Sequence, residues 1–171
     1  GVYNLFCEKD TLWTTCTDGI YYYTQQEKKL SLFTQKPNKI TNLYIDNDTI
    51  WAINSTALYR ISRKNPNDIT KAADFNNGSC IFVDKKHNIW IGGWNGLYRF
   101  TPSQTLIHYT SNDTPRTISH NQIRDIIEDN YGNIWIGSFK GIDCFHPESN
   151  FWTHYTEYGV SPNTLSHCSI L

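Results

Sequence analysis

Four tryptophans, Trp13, Trp51, Trp90 and Trp135, stand 38, 39 and 45 residues apart, and each sits in a version of the same phrase. The phrases read DTLWTTCTDGIYYY (Asp10–Tyr23), DTIWAINSTALYRI (Asp48–Ile61), NIWIGGWNGLYRF (Asn88–Phe100) and NIWIGSFKGIDCF (Asn133–Phe145). Six residues after each Trp comes a small residue: Gly19, Ala57, Gly96, Gly141. Five or six residues before it comes an acid: Glu8, Asp46, Asp84, Asp129. A fixed period of this length in a chain of 171 residues constrains the fold more than composition does.

Each period carries apolar runs rich in Ile, Val, Tyr, Phe, Trp and Thr, separated by Gly, Asn, Asp and Pro. One run precedes the acid, one starts at the Trp, one follows the small residue, and one ends at an aromatic such as Phe33, Tyr109 or Tyr155. No long window has a 3.6-residue apolar period, so long helices are not expected. Four short strands per period of about 40 residues is the pattern of a β-propeller blade, in which neighbouring sheets cover faces that a single sheet leaves bare. The expected fold is therefore all-β, a propeller fragment of about four four-stranded blades. The blades span approximately residues 2–38, 39–76, 77–119 and 120–163. Residues 164–171 repeat the pattern of 117–124 and begin a fifth blade. Pro66–Phe75 fits least well and reads as a degenerate outer strand or a loop.

The recurring positions have physical roles. In Asp129–Asn133 the acid accepts turn hydrogen bonds and Gly132 supplies a positive φ. The Trp places a large ring between sheets, and its N–H needs a partner, either turn carbonyls or the acid. Gly19, Gly96 and Gly141 mark hairpin turns, most plainly at Asn95-Gly96. Ala57 departs from that rule and implies a different turn. The four Trp, the three Gly and the acids Asp46, Asp84 and Asp129 are thus structural positions.

The net charge of −1 speaks against a nucleic-acid surface. An aromatic content of 15% speaks against disorder. No apolar run reaches the length of a membrane helix, and no signal peptide is visible. The chain starts at Gly1 and contains no Met, so a trimmed piece of a longer protein is expected. Five cysteines, Cys7, Cys16, Cys80, Cys144 and Cys168, fit free thiols, with one bridge in an oxidising compartment left open. Zinc spacings, a nucleophile elbow and a phosphate loop are all missing, so no metal, cofactor or catalytic residue is expected.

The segments NQIRDIIEDNYGNIWIGSFKGIDCF and SCIFVDKKHNIWIGGWNGLYRF closely resemble the two-component regulator propeller repeat. The linkers Tyr109–Ile123 and His154–Ile170 resemble it as well. The match is strong in the third and fourth repeats and weak in the first two. It implies the periplasmic sensor region of a Bacteroidetes hybrid two-component histidine kinase, responding to glycan-derived oligosaccharides. It also implies partners: further blades, a second propeller, and a kinase outside this chain, biased when ligand shifts the ectodomains. Self-association through an uncovered blade edge is a further expectation.

Propellers bind ligand on loops at one face. The candidate ligand residues are Trp94, Asn95, Phe139, Lys140, Asp18, Arg116 and Tyr158, with Glu157 beside the last. Trp94 is the most informative, because no repeat rule demands Trp where the other blades have Thr17, Ser55 and Phe139. Packing against a neighbouring loop is the alternative reading for Trp94, and solvated surface for Lys140 and Arg116. Two other functions stay open: a propeller glycosidase or lyase, and a protein-interaction scaffold. Against the first, Arg60 and Arg99 sit at equivalent repeat positions, so they look structural, and the Asp-box serine is missing. Against the second, the Gly-His and Trp-Asp dipeptides of WD-type blades are missing.

Overall fold

The computed structural model describes residues 1–112 and 116–156. Among them there are sixteen strands and no helix. Every sheet is a four-stranded antiparallel meander in chain order. The first sheet holds β1 (Val2–Glu8), β2 (Thr11–Cys16), β3 (Gly19–Thr24) and β4 (Lys29–Thr34). The second holds β5 (Asn42–Asp46), β6 (Thr49–Ile53), β7 (Ala57–Ser62) and β8 (Ile69–Asp74). The third holds β9 (Gly78–Val83), β10 (Ile89–Gly93), β11 (Gly96–Phe100) and β12 (Leu106–Tyr109). The fourth holds β13 (Ile123–Glu128), β14 (Ile134–Ser138), β15 (Gly141–His146) and β16 (Phe151–Thr156). Each anchoring Trp lies on the second strand of its sheet. The expected fifth-blade segment 164–171 lies outside the described residues.

The chain divides into two compact units, Gly1–Ser79 and Cys80–Leu171. In the first unit, one core joins Trp13 and Ile20 of the first sheet to Leu43, Ile45, Ile50, Ala52 and Ile61 of the second, with Ile40 from the linker. In the second unit, Trp90 and Leu97 of the third sheet pack with Ile123, Ile126, Ile134, Ile136, Phe145 and Trp152 of the fourth, with Ile118 from the linker. Burial of this kind contributes about 1.5–3 kcal/mol per large apolar side chain. The approach of the two sheets is close: a Cβ added at Gly92 would lie 2.4 Å from Ile123 Cγ2 and 2.7 Å from Cys80 Sγ.

The hairpin before each Trp comes in two lengths. Where acid and Trp are five apart, the loop is two residues, with Lys9 (φ 52°) and Asn47 (φ 54°) left-handed. Where they are six apart, the loop is three residues. It closes through Asp84 N–H to Asn88 O and through Asp129 N–H to Asn133 O, with His87 (φ 60°) and Gly132 (φ 84°) left-handed.

The small residue six after the Trp begins the third strand, where the end of the outer strand crosses it. A Cβ at Gly19, Gly96 or Gly141 would meet the carbonyl of Thr34, Tyr109 or Tyr155 at 2.5, 2.4 and 2.2 Å. The fourth strand therefore requires glycine at all three, and at Gly96 and Gly141 a positive φ of 106° and 139° requires it as well. The second blade differs, as Ala57 implies: Asn54 Oδ1 accepts the Thr56 and Ala57 amides at 2.9 and 2.8 Å and closes the turn with a side chain.

Pro66–Phe75 holds a true outer strand. β8 pairs with β7 through Ile61↔Ile69 to Ala57↔Asp74, with a register shift at Leu58/Tyr59. Its sequence, ITKAAD, has weak strand character, and the exposed edge of β7 imposes the pairing.

Candidate functional site

In the third and fourth blades the recurring acid closes the turn and holds the Trp indole in place. Asp84 Oδ1 accepts the Lys86 and Asn88 amides, and its Oδ2 accepts the Trp90 indole N–H at 2.8 Å. Asp129 does the same for Tyr131, Asn133 and Trp135, the indole at 2.9 Å. The Trp135 indole, then Asn133 and Tyr131, hold the Asp129 carboxyl well below the ordinary carboxylate range. In the first blade the geometry changes. Glu8 pairs with Arg63 at 2.9 Å, whose guanidinium lies 5.6 Å from the Trp13 ring centroid. Trp13 Nε1 is buried without a hydrogen-bond partner among the described residues. Trp13 and Trp90 are buried, whereas Trp51 and Trp135 are half-buried. Arg99 lies 5.5 Å from the Trp90 centroid, so the arginine expected to be structural has a packing role.

Sequence reasoning missed a second buried acid. Asp143 on β15 is fully buried. Its Oδ2 accepts the Ser119 amide and hydroxyl at 2.9 and 3.1 Å, and its Oδ1 faces His154 Nδ1 at 2.7 Å. This carboxylate fixes the linker before β13 onto the fourth blade. Nothing in the repeat pattern marks it, because the other blades have Tyr21, Tyr59 and Tyr98 at that position.

The expected ligand residues separate into groups. Asp18 is exposed in the β2–β3 turn of the first unit, and its Oδ2 accepts the Tyr21 hydroxyl at 2.8 Å. Trp94 and Asn95 form the β10–β11 turn, and Phe139 and Lys140 the β14–β15 turn. Trp94 is 59% exposed and Phe139 51% exposed, so neither is packed into the core. Arg116 is exposed on the linker before β13. Tyr158 and Glu157 lie outside the described residues.

Both turns of the second unit are tied to the same linker. The Gly96 amide donates to Asn121 O at 2.8 Å, and the Phe139 amide donates to Gln122 O at 3.0 Å. Two turns that carry exposed aromatics are thereby anchored to Asn121 and Gln122. From that segment the Arg124 guanidinium lies 5.6 Å from the Trp94 centroid, and the His120 ring 5.6 Å from that of Phe139. His120 and Arg124 were not among the expected ligand residues. Their signal in sequence was only a repeat position and a strand position. Elsewhere in this unit, Asp125, Ile126, Ile127, Trp135, Gly137 and Ile142 line an apolar groove on the fourth blade, poor in chemistry-bearing groups. Among the described residues no cluster of His, Cys, Asp or Glu has the makings of a metal site.

The two component regulator propeller family model matches residues 117–140, the stretch from the linker through the Asp129 turn and Trp135 to the β14–β15 turn. That stretch carries a two component regulator propeller repeat. No curated protein sequence matches it. Solved structures do. The extracellular domain of a protein named as a hybrid two component system of B. thetaiotaomicron superposes with a TM-score of 0.73 at 20% identity, over 99% of this chain and 24% of that one. A second such domain from the same organism gives 0.73 at 18% identity, over 98% of this chain and 23% of that one. A streptogramin B lyase gives 0.70 at 16% identity, over 91% of this chain and 54% of that one. At these identities the similarity shows the fold, and the fold is an all-β propeller. The chain spans about a quarter of the length of these two extracellular domains.

Proposed function

We propose that this chain is a ligand-sensing segment of the extracytoplasmic, periplasmic region of a hybrid two-component regulator, and that its ligands are glycan-derived oligosaccharides. The observation that carries the reading is the coincidence of the family match at 117–140 with the fold of two extracellular hybrid two-component domains. The same residues form the linker that organises the exposed aromatics. Exposed rings flanked by polar groups suit saccharides, since C–H faces stack on the ring and the neighbours take hydroxyls. The segment itself is non-catalytic. Ligand binding biases the placement of neighbouring ectodomains, and that bias reaches a kinase elsewhere in the protein.

Calorimetric titration of the purified chain with a panel of plant and host oligosaccharides tests the reading, with product analysis by chromatography. Saccharide binding with the sugar recovered intact supports a sensor. Cleavage of the sugar overturns it in favour of a glycosidase or lyase, and no affinity for any saccharide overturns it in favour of a scaffold.

A further inference from the structure

Arg124 is the extra residue of a β-bulge. In the β13–β14 ladder Ile123 pairs with Ser138 and Asp125 with Gly137, which leaves Arg124 without a partner position. A bulge re-aims the side chain it carries, and this one places a guanidinium over an exposed tryptophan at the rim of the blade. Asp125, its neighbour, lines the apolar groove of the fourth blade. Asp143, on the same blade, is buried and already bound to Ser119 and His154. At His120, Nδ1 accepts the Gln122 amide at 3.1 Å. Its ring proton is therefore on Nε2, which is left to donate. Lys140 adds a second exposed cation in the Phe139 turn.

Resting on the saccharide reading above, we propose that Trp94, Arg124, His120 and Phe139 form a subsite for an acidic sugar, a uronate unit of an oligosaccharide. The sugar ring stacks on the indole, its carboxylate pairs with the Arg124 guanidinium, and His120 Nε2–H donates to a ring hydroxyl. A planar guanidinium matches a carboxylate through two parallel N–H donors. A neutral sugar would leave that cation without a counter-charge. The third blade presents the aromatic and the fourth presents the cation, so the subsite requires both blades of the unit.

The test is calorimetric titration of the whole chain with tri-galacturonate and, in parallel, with neutral galactotriose. The native chain is expected to bind the uronate and to favour it over the neutral sugar by about tenfold or more. Arg124→Gln removes that preference, Arg124→Lys restores part of it, and Trp94→Ala weakens both sugars. Melting curves of the variants check that the surface changes leave the fold intact. Equal affinity for both sugars, with Arg124→Gln silent, overturns the acidic subsite while the saccharide reading stands. No binding of either sugar here overturns the subsite, and the reading falls with it only if the wider oligosaccharide panel is also silent.

Discussion

At Asp84 and Asp129 one carboxylate both closes a turn and receives an indole N–H. Replacing Asp84 by Ala strands a buried donor on Trp90 together with two turn amides, and is expected to cost about 2–3 kcal/mol in urea unfolding. Asp129 gives a pH signature. Its folded-state carboxyl titrates below the unfolded one, so its contribution is full above the ordinary carboxylate range and is lost as pH falls through it. The stability gap between the native chain and Asp129→Asn should accordingly narrow between about pH 5 and pH 2, and a gap that stays constant would count against the linkage. Glycine at position 141 is needed on two grounds, a φ of 139° and a carbonyl 2.2 Å from any added Cβ. Gly141→Ala should destabilise by about 1–3 kcal/mol, whereas Ala57→Gly, at the equivalent place in the second blade, should cost under about 1 kcal/mol.

Single strands differ in how much of their order is their own. β10 is buried along its whole length and carries strong strand formers, so sequence alone assigns it. β8 is half-exposed, carries Lys, Ala and Asp, and exists because β7 offers it an edge. Amide hydrogen exchange followed by mass spectrometry should show β8 exchanging well before β6 and β10. Comparable protection across all three would mean that β8 is a cooperative part of its sheet. The strand glycine Gly92 makes the opposite point. Its phrase, Ile-Trp-Ile-Gly, is legible as a motif, but the need for glycine comes from Ile123 on the next sheet. Gly92→Val should separate the two sheets of the second unit, with loss of cooperativity in thermal unfolding.

Over the whole chain, the thiols report which surfaces are closed. Cys7, Cys16, Cys80 and Cys144 are free, with Cys7 exposed and Cys144 buried. Burial pushes the Cys80 thiol up to about 12 and the Cys144 thiol up to about 11. Alkylation at pH 8 should therefore label Cys7 first and leave Cys80 and Cys144 untouched until the protein is unfolded. Early labelling of Cys80 would show that the sheets of the second unit open readily.

The repeat was enough to settle the all-β class, the four strands per blade and the place of each tryptophan, because those follow from local periodicity and turn chemistry. The turn acids were legible as well, since a carboxylate near the start of a tight turn has amides to bind. The buried Asp143, the outer strand β8 and the pairing of Arg124 with Trp94 were not. Each depends on a partner distant in sequence: Ser119 and His154, the edge of β7, and a turn 30 residues away brought in by the Asn121 carbonyl. Periodicity carries information about neighbours along the chain. The candidate site is made by contacts between blades, and those exist only once the sheets have packed.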